Sequence, residues 1–220
     1  MRYLRFAVAA LGLVASAAFA SPADPKLGTD YVQLANPQPV QAVGKKVEVI
    51  EFFMYHCPHC NVLEPFLAEW VKKRGNDIVF KRVHMPYTGA NDPEAHLYLT
   101  LEAMGKLDEM HAKVFKAMHV DRVRLNQEPV LMDWIGKNGV DKAKFLEAWN
   151  SFGVMTKMKR LPQILNAYKV DSVPTLVIDG RLMTSPSVVG AANPSVDEGA
   201  NMRATIQALD NIVTKVAKSK

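Results

Sequence analysis

Cys57 and Cys60 are the only cysteines in the 220-residue chain, and they stand two residues apart in Cys57-Pro58-His59-Cys60. A pair at this spacing can cycle between dithiol and disulfide, bind a metal, or form a static bridge. A static bridge gains little here. Closing so short a loop is worth roughly 2 kcal/mol by chain entropy, against about 4.7 for a 100-residue loop. A tetrahedral metal site built on His56, Cys57, His59 and Cys60 would normally draw a second ligand pair from a distant segment, and no such pair appears. Redox exchange is the reading that the residues favour.

The flanking residues predict how the pair is held. Val47-Glu48-Val49-Ile50-Glu51-Phe52-Phe53-Met54-Tyr55 is β-branched and aromatic, as in a buried strand. Beyond Cys60, the apolar residues Val62, Leu63, Phe66, Leu67, Trp70 and Val71 recur at helical spacing, to about Arg74. Cys57 therefore falls where a strand hands over to a helix, with Pro58 suited to the first turn. Free N–H groups and the helix dipole favour an anion there. This makes Cys57 the candidate nucleophile and Cys60, one turn on, the resolving thiol. His59, when protonated, adds to the stabilisation of the thiolate.

Glu51 is an acid inside an otherwise apolar strand, so it must be paired or have its pKa raised. Two readings stay open. It accepts or relays protons during exchange, against Arg82 or Lys81, or it is an ion-paired or edge-exposed residue of structural role only. His84, His96, His111 and His119 read as structural or exposed.

The N-terminus has the pattern of an export signal. Arg2 and Arg5 precede an apolar run from Phe6 to about Phe19, and Ala18-Phe19-Ala20 is a small-x-small cleavage sequence. Residues 1–20 are expected to be removed after Ala20, and no cysteine at that point invites a lipid. The run is shorter than the roughly 20 residues that span a bilayer. Export to a compartment where disulfides persist, the bacterial periplasm, is the expected location. Without Arg2 and Arg5 there are 25 basic residues against 22 acidic, a mild +3. No glycine-rich phosphate loop or aromatic-interleaved basic patch points to nucleotides or nucleic acid.

After the first strand and helix, Gly75-Asn76-Asp77 is a turn and Ile78–His84 a second strand, parallel to the first. Five helices are expected between 91 and 168. The first is capped by Asp92-Pro93-Glu94, the fourth by Asp141, and a kink or break is expected at Pro162 in the fifth. A hairpin then turns at Asp179-Gly180, and a helix over about 201–217 closes the chain. Repeats and low-complexity tracts are absent.

The export signal, Cys57-Pro58-His59-Cys60 after Glu51-Phe52-Phe53, the helical insertion and Val173-Pro174 before the ββα end together resemble the DsbA family of bacterial thiol:disulfide interchange proteins. The Pro-His dipeptide is similar to that of DsbA, whereas thioredoxins typically carry Gly-Pro there. The resemblance spans essentially the whole mature chain. It implies an α/β thioredoxin fold, βαβ…ββα, with a thioredoxin-like domain over 21–90 and 169–220 and an all-helical insertion over 91–168. It further implies a catalytic Cys57–Cys60 disulfide without external cofactor or metal, tuned by Pro58 and His59, with Glu51 as the buried acid below it. Val173-Pro174 alone reads as an ordinary edge-strand proline. By resemblance it is a cis bond facing the cysteines that leaves Val173 free to pair with extended substrate. His56 stands where the best-known members carry an aromatic residue, and is a candidate for the substrate-facing surface. The implied partners are unfolded exported proteins and a DsbB-type membrane protein that reoxidises the pair, with the chain a monomer. The alternatives are a reductase or isomerase, a metal-binding or chaperone-type CxxC protein, or a non-catalytic binding module.

Overall fold

The computed structural model describes residues 23–192 and 194–220, so the expected export signal lies outside the described residues. Five strands form one mixed sheet: β1 (Val32–Gln33), β2 (Val47–Phe53), β3 (Ile78–His84), β4 (Thr175–Ile178) and β5 (Leu182–Thr184), in the order β1-β5-β4-β2-β3. Only β2 and β3 run parallel, joined by helix α1 (Pro58–Arg74), as the strand-helix-strand pattern requires. Every residue of β2 is buried, which its apolar composition predicts for a strand covered on both faces.

Between β3 and β4 lie five helices: α2 (Pro93–Ala103), α3 (Leu107–His119), α4 (Glu128–Lys137), α5 (Lys142–Trp149) and α6 (Phe152–Tyr168). Asp92, Asp141 and Ser151 cap α2, α5 and α6 through side-chain oxygens on backbone N–H groups. Of the kink or break expected at Pro162, the break does not occur. Helix α6 runs unbroken through it, held by Val154, Met158, Leu161 and Tyr168 along its buried side. Packing there outweighs the hydrogen bond that proline removes.

At the C-terminal end, Ile178 pairs with Leu182, so the hairpin loop is Asp179-Gly180-Arg181. Asp179 and Gly180 both have positive φ. A short helix α7 (Pro186–Ala191), capped by Ser185, was not expected from the sequence because six residues show too little periodicity. The final helix α8 (Glu198–Lys218) starts three residues earlier than expected, with Asp197 as its cap.

Alternation along β2 decides what each side chain meets. Val47 and Val49 pack with α1 and α8 through Leu63, Leu67, Leu209 and Val213. Ile50 and Phe52 point the other way, against Tyr168 and Val170. Phe53, Tyr55 and Cys57 belong to the core of the helical block, with Tyr98, Phe115 and Leu161. The end of the central strand and the first cysteine are thus packed into the insertion.

Candidate active site

The strand ends at Phe53 rather than Tyr55, and Met54 to His56 turn the chain, with the Cys57 N–H donating to Met54 O at 3.2 Å. That turn makes Cys57 the N-cap of α1, with Pro58 in the first turn. The Cys60 N–H donates to Cys57 Sγ at 3.3 Å, so sulfur takes the role that a serine or aspartate oxygen fills at other helix starts. Both cysteines are free thiols in the structure and both are buried.

Their environments pull them apart. The Cys60 side chain and the N–H groups of Cys60 and His59 stabilise the Cys57 thiolate, holding its pKa down at about 6 despite partial burial. Burial pushes the Cys60 thiol up, and the Cys57 charge beside it adds to the shift. One sulfur is thus prepared as an anion and leaving group, the other as a protonated thiol.

The Val173–Pro174 peptide is cis, and Cys57 Sγ lies 3.6 Å from the Val173 carbonyl. Beside it is a cavity of about 430 Å³ lined by His59, Val173, Pro174, Pro186, Glu198 and Met202, among others. His59 reaches across its mouth, Nδ1 lying 2.5 Å from Glu198 Oε1 at the start of α8. Four of the residues singled out in the sequence, Cys57, His59, Val173 and Pro174, therefore share one surface.

Glu51 lies beneath it, fully buried on the α1 side of β2. It pairs with its cross-strand neighbour Arg82, which donates from Nε at 2.7 Å. Lys81 points to the other face and binds Glu48 instead. Arg82 also donates to both oxygens of Glu64 from α1, at 2.9 and 3.0 Å. Two carboxylates share one guanidinium, and Glu51 Oε1 has no hydrogen-bond partner among the described residues. Burial raises Glu51 to about 7, Arg82 opposes the rise, and Glu64 adds to it. Glu64 itself stays below its ordinary value because His111 and Arg82 outweigh its burial.

The other residues of the site were less legible. Glu64 is four residues after Cys60 and three before Leu67, on the buried stripe of α1, and that spacing is a usable signal. His111, expected to be structural or exposed, is buried against Tyr55 Oη at 2.9 Å and stands 3.5 Å from Glu64. His56 does not project freely. Its backbone N–H and ring Nδ1 both bond Glu94 Oε2, at 3.1 and 2.7 Å, and Tyr87 stacks edge-on against its ring. Glu94 looks in sequence like an ordinary first-turn acid of α2; nothing local shows that it turns inward.

Comparison with known proteins agrees with this arrangement. The family model of the DSBA-like thioredoxin domain matches residues 67–198. The thiol:disulfide interchange protein DsbA of Burkholderia cepacia is 38% identical over 210 residues, covering 96% of this chain and 94% of that protein. The chain belongs to the DsbA family. Among solved structures, Pseudomonas aeruginosa DsbA superposes with a TM-score of 0.76 at 33% identity, over 90% of this chain and 99% of that one. The oxidoreductase NmDsbA1 of Neisseria meningitidis gives 0.69 at 28% identity, over 87% and 94%. As a DsbA-family protein it has the thioredoxin fold with a helical insertion and is a thiol:disulfide oxidoreductase. Among the described residues no helix is long and apolar enough to cross a membrane, and no cluster of three or more metal-ligating side chains occurs.

Proposed function

We propose that the protein is a periplasmic dithiol oxidase that introduces disulfides into unfolded exported proteins. The observation that carries the direction is the asymmetry of the pair: Cys57 is held as a thiolate at the α1 N-cap while Cys60 is buried as a thiol. Whatever stabilises the reduced pair makes its disulfide the better oxidant, and a low-pKa sulfur leaves easily.

In the oxidised protein a substrate thiolate attacks Cys57 Sγ, the Cys57–Cys60 bond breaks, and Cys60 departs with the electron pair. Because burial disfavours a Cys60 thiolate, it needs a proton at once, and Glu51, near 7 and with Oε1 unpartnered among the described residues, is the donor we assign. A second substrate thiolate attacks the substrate sulfur of the mixed disulfide, and Cys57 leaves as its stabilised thiolate. The substrate loses two electrons and gains a disulfide; the cysteine pair becomes a dithiol. We assign Val173, whose carbonyl lies 3.6 Å from Cys57 Sγ, to align an extended substrate strand, and the cavity it lines with Pro174 to take substrate side chains.

Reoxidation by a DsbB-type membrane protein, a monomeric state, removal of residues 1–20, and division of the chain at 91 and 168 belong to the same reading. Cys57→Ser is expected to abolish it, which separates an oxidase from a binding module. The deciding experiment equilibrates the mature protein with glutathione and follows Cys57 thiolate absorbance against pH. An acidic thiolate in a pair that glutathione readily reduces supports the oxidase. A stable disulfide with an ordinary Cys57 pKa overturns it in favour of a reductase or a static bridge.

A further inference from the structure

Glu94 is 2% exposed, yet among the described residues no lysine or arginine forms an ion pair with it. Its neighbours are both histidines. His84 Nε2 stands 3.9 Å away, but it already accepts the Tyr55 N–H at 3.1 Å and so carries no proton there. Burial holds His84 down at about 3, so it is neutral at any working pH. Among the described residues His56 is the group that can bring a positive charge to Glu94, and its ring donates to the oxygen that also takes its own backbone N–H. The hydrogen bond to Glu94 raises His56 above its ordinary value, and the charges of Asp92 and Cys57 act in the same direction. Asp92 is occupied by N–H groups of Tyr87, Thr88 and Ala95, and the Tyr87 ring stands edge-on to His56, whose side chain stays partly exposed.

We infer that Glu94 is a positioning residue for the Cys57 couple, fixing the loop before Cys57 through His56 while His56 neutralises its charge. The inference deepens the reading above and rests on it. The helical insertion thereby holds the active-site loop without passing a carboxylate's field to the adjacent thiolate. Removing the His56 ring leaves the buried Glu94 carboxylate with no cationic partner among the described residues, held by the backbone N–H of the residue before Cys57. Removing both leaves neither charge.

The test is a double-mutant cycle read by Cys57 thiolate absorbance against pH in wild type, His56→Ala, Glu94→Gln and the double variant. His56→Ala is expected to raise the Cys57 pKa by about one unit, the lower end of the effect of a close charge. Adding Glu94→Gln restores most of that shift, while Glu94→Gln alone moves it less. An unchanged Cys57 pKa in His56→Ala, or the same rise with and without Glu94→Gln, overturns the inference. If His56→Ala does not fold, the ring of His56 is titrated by proton NMR in wild type and Glu94→Gln. A lower titration point in the variant supports the pair, and an unchanged one overturns it. The wild-type Cys57 value tests the oxidase reading, and only the differences among variants test Glu94.

Discussion

At the scale of single residues, the site works by unequal treatment of like groups. Two thiols three positions apart differ because one caps a helix and the other faces the core. Two glutamates sharing Arg82 differ because Glu64 also has His111, whereas Glu51 has an oxygen without a partner among the described residues. Glu51 has a signed consequence. Its folded value, about 7, lies above its ordinary 4.5, so the native state holds the proton more tightly between them. Its contribution to stability is full below about 4.5 and is lost as pH rises through about 7. Glu51→Gln should flatten that part of the profile, seen as a smaller fall in urea midpoint between those pH values than in wild type. His59→Ala should raise the Cys57 pKa by less than about one unit, because its ring is exposed and solvent screens it. Thiolate absorbance reads that shift directly.

Among the elements, α1 must stay aimed at the sheet if its N-terminus is to serve Cys57. Its far end is tied to α8. Trp70 Nε1 and Arg74 Nε both donate to Asp210 Oδ1, at 2.7 and 2.8 Å, and Arg74 also reaches Thr214 Oγ1. Asp210→Ala removes the shared acceptor and should cost about 2 kcal/mol in chemical denaturation, the scale of a hydrogen bond to a charged group. The hairpin carrying β4 away from Pro174 depends on Gly180. Its φ is +63°, and an added Cβ would lie 2.2 Å from the Gln38 carbonyl. Gly180→Ala should therefore cost at least the roughly 1–3 kcal/mol of a strained backbone, measured the same way.

For the molecule as a whole, redox state and stability are linked through Cys57. Its folded pKa of about 6 lies below the ordinary 9, so between those values the unfolded reduced chain binds the extra proton. The Cys57 contribution to stability of the reduced form should grow with pH from about 6 to 9 and be lost as pH falls through 6, against the opposite slope of Glu51 below about 7. The oxidised form has no such thiol. The gap in unfolding free energy between the two forms should widen over that range. A gap independent of pH would contradict a stabilised thiolate.

The chemistry, most of the order of elements and the position of Cys57 at a strand–helix junction were legible in the sequence, because each rests on a local pattern: the β-branched and aromatic run of β2, helical period in α1, caps at Asp92 and Asp141. The partner of Glu51 was narrowed to Arg82 or Lys81, and strand register with alternation of faces selected Arg82. Helix α7 and the unbroken α6 were not legible, since six residues carry too little periodicity and the penalty at Pro162 is overridden by distant packing. Nor was the inward turn of Glu94, which meets His56 across 38 positions of sequence. By itself the sequence determined which residues could do the chemistry and which element would hold the reactive thiol. The tertiary structure alone decided which charges those residues face, because long-range pairing depends on how the insertion docks on the end of β2, and no local pattern encodes that.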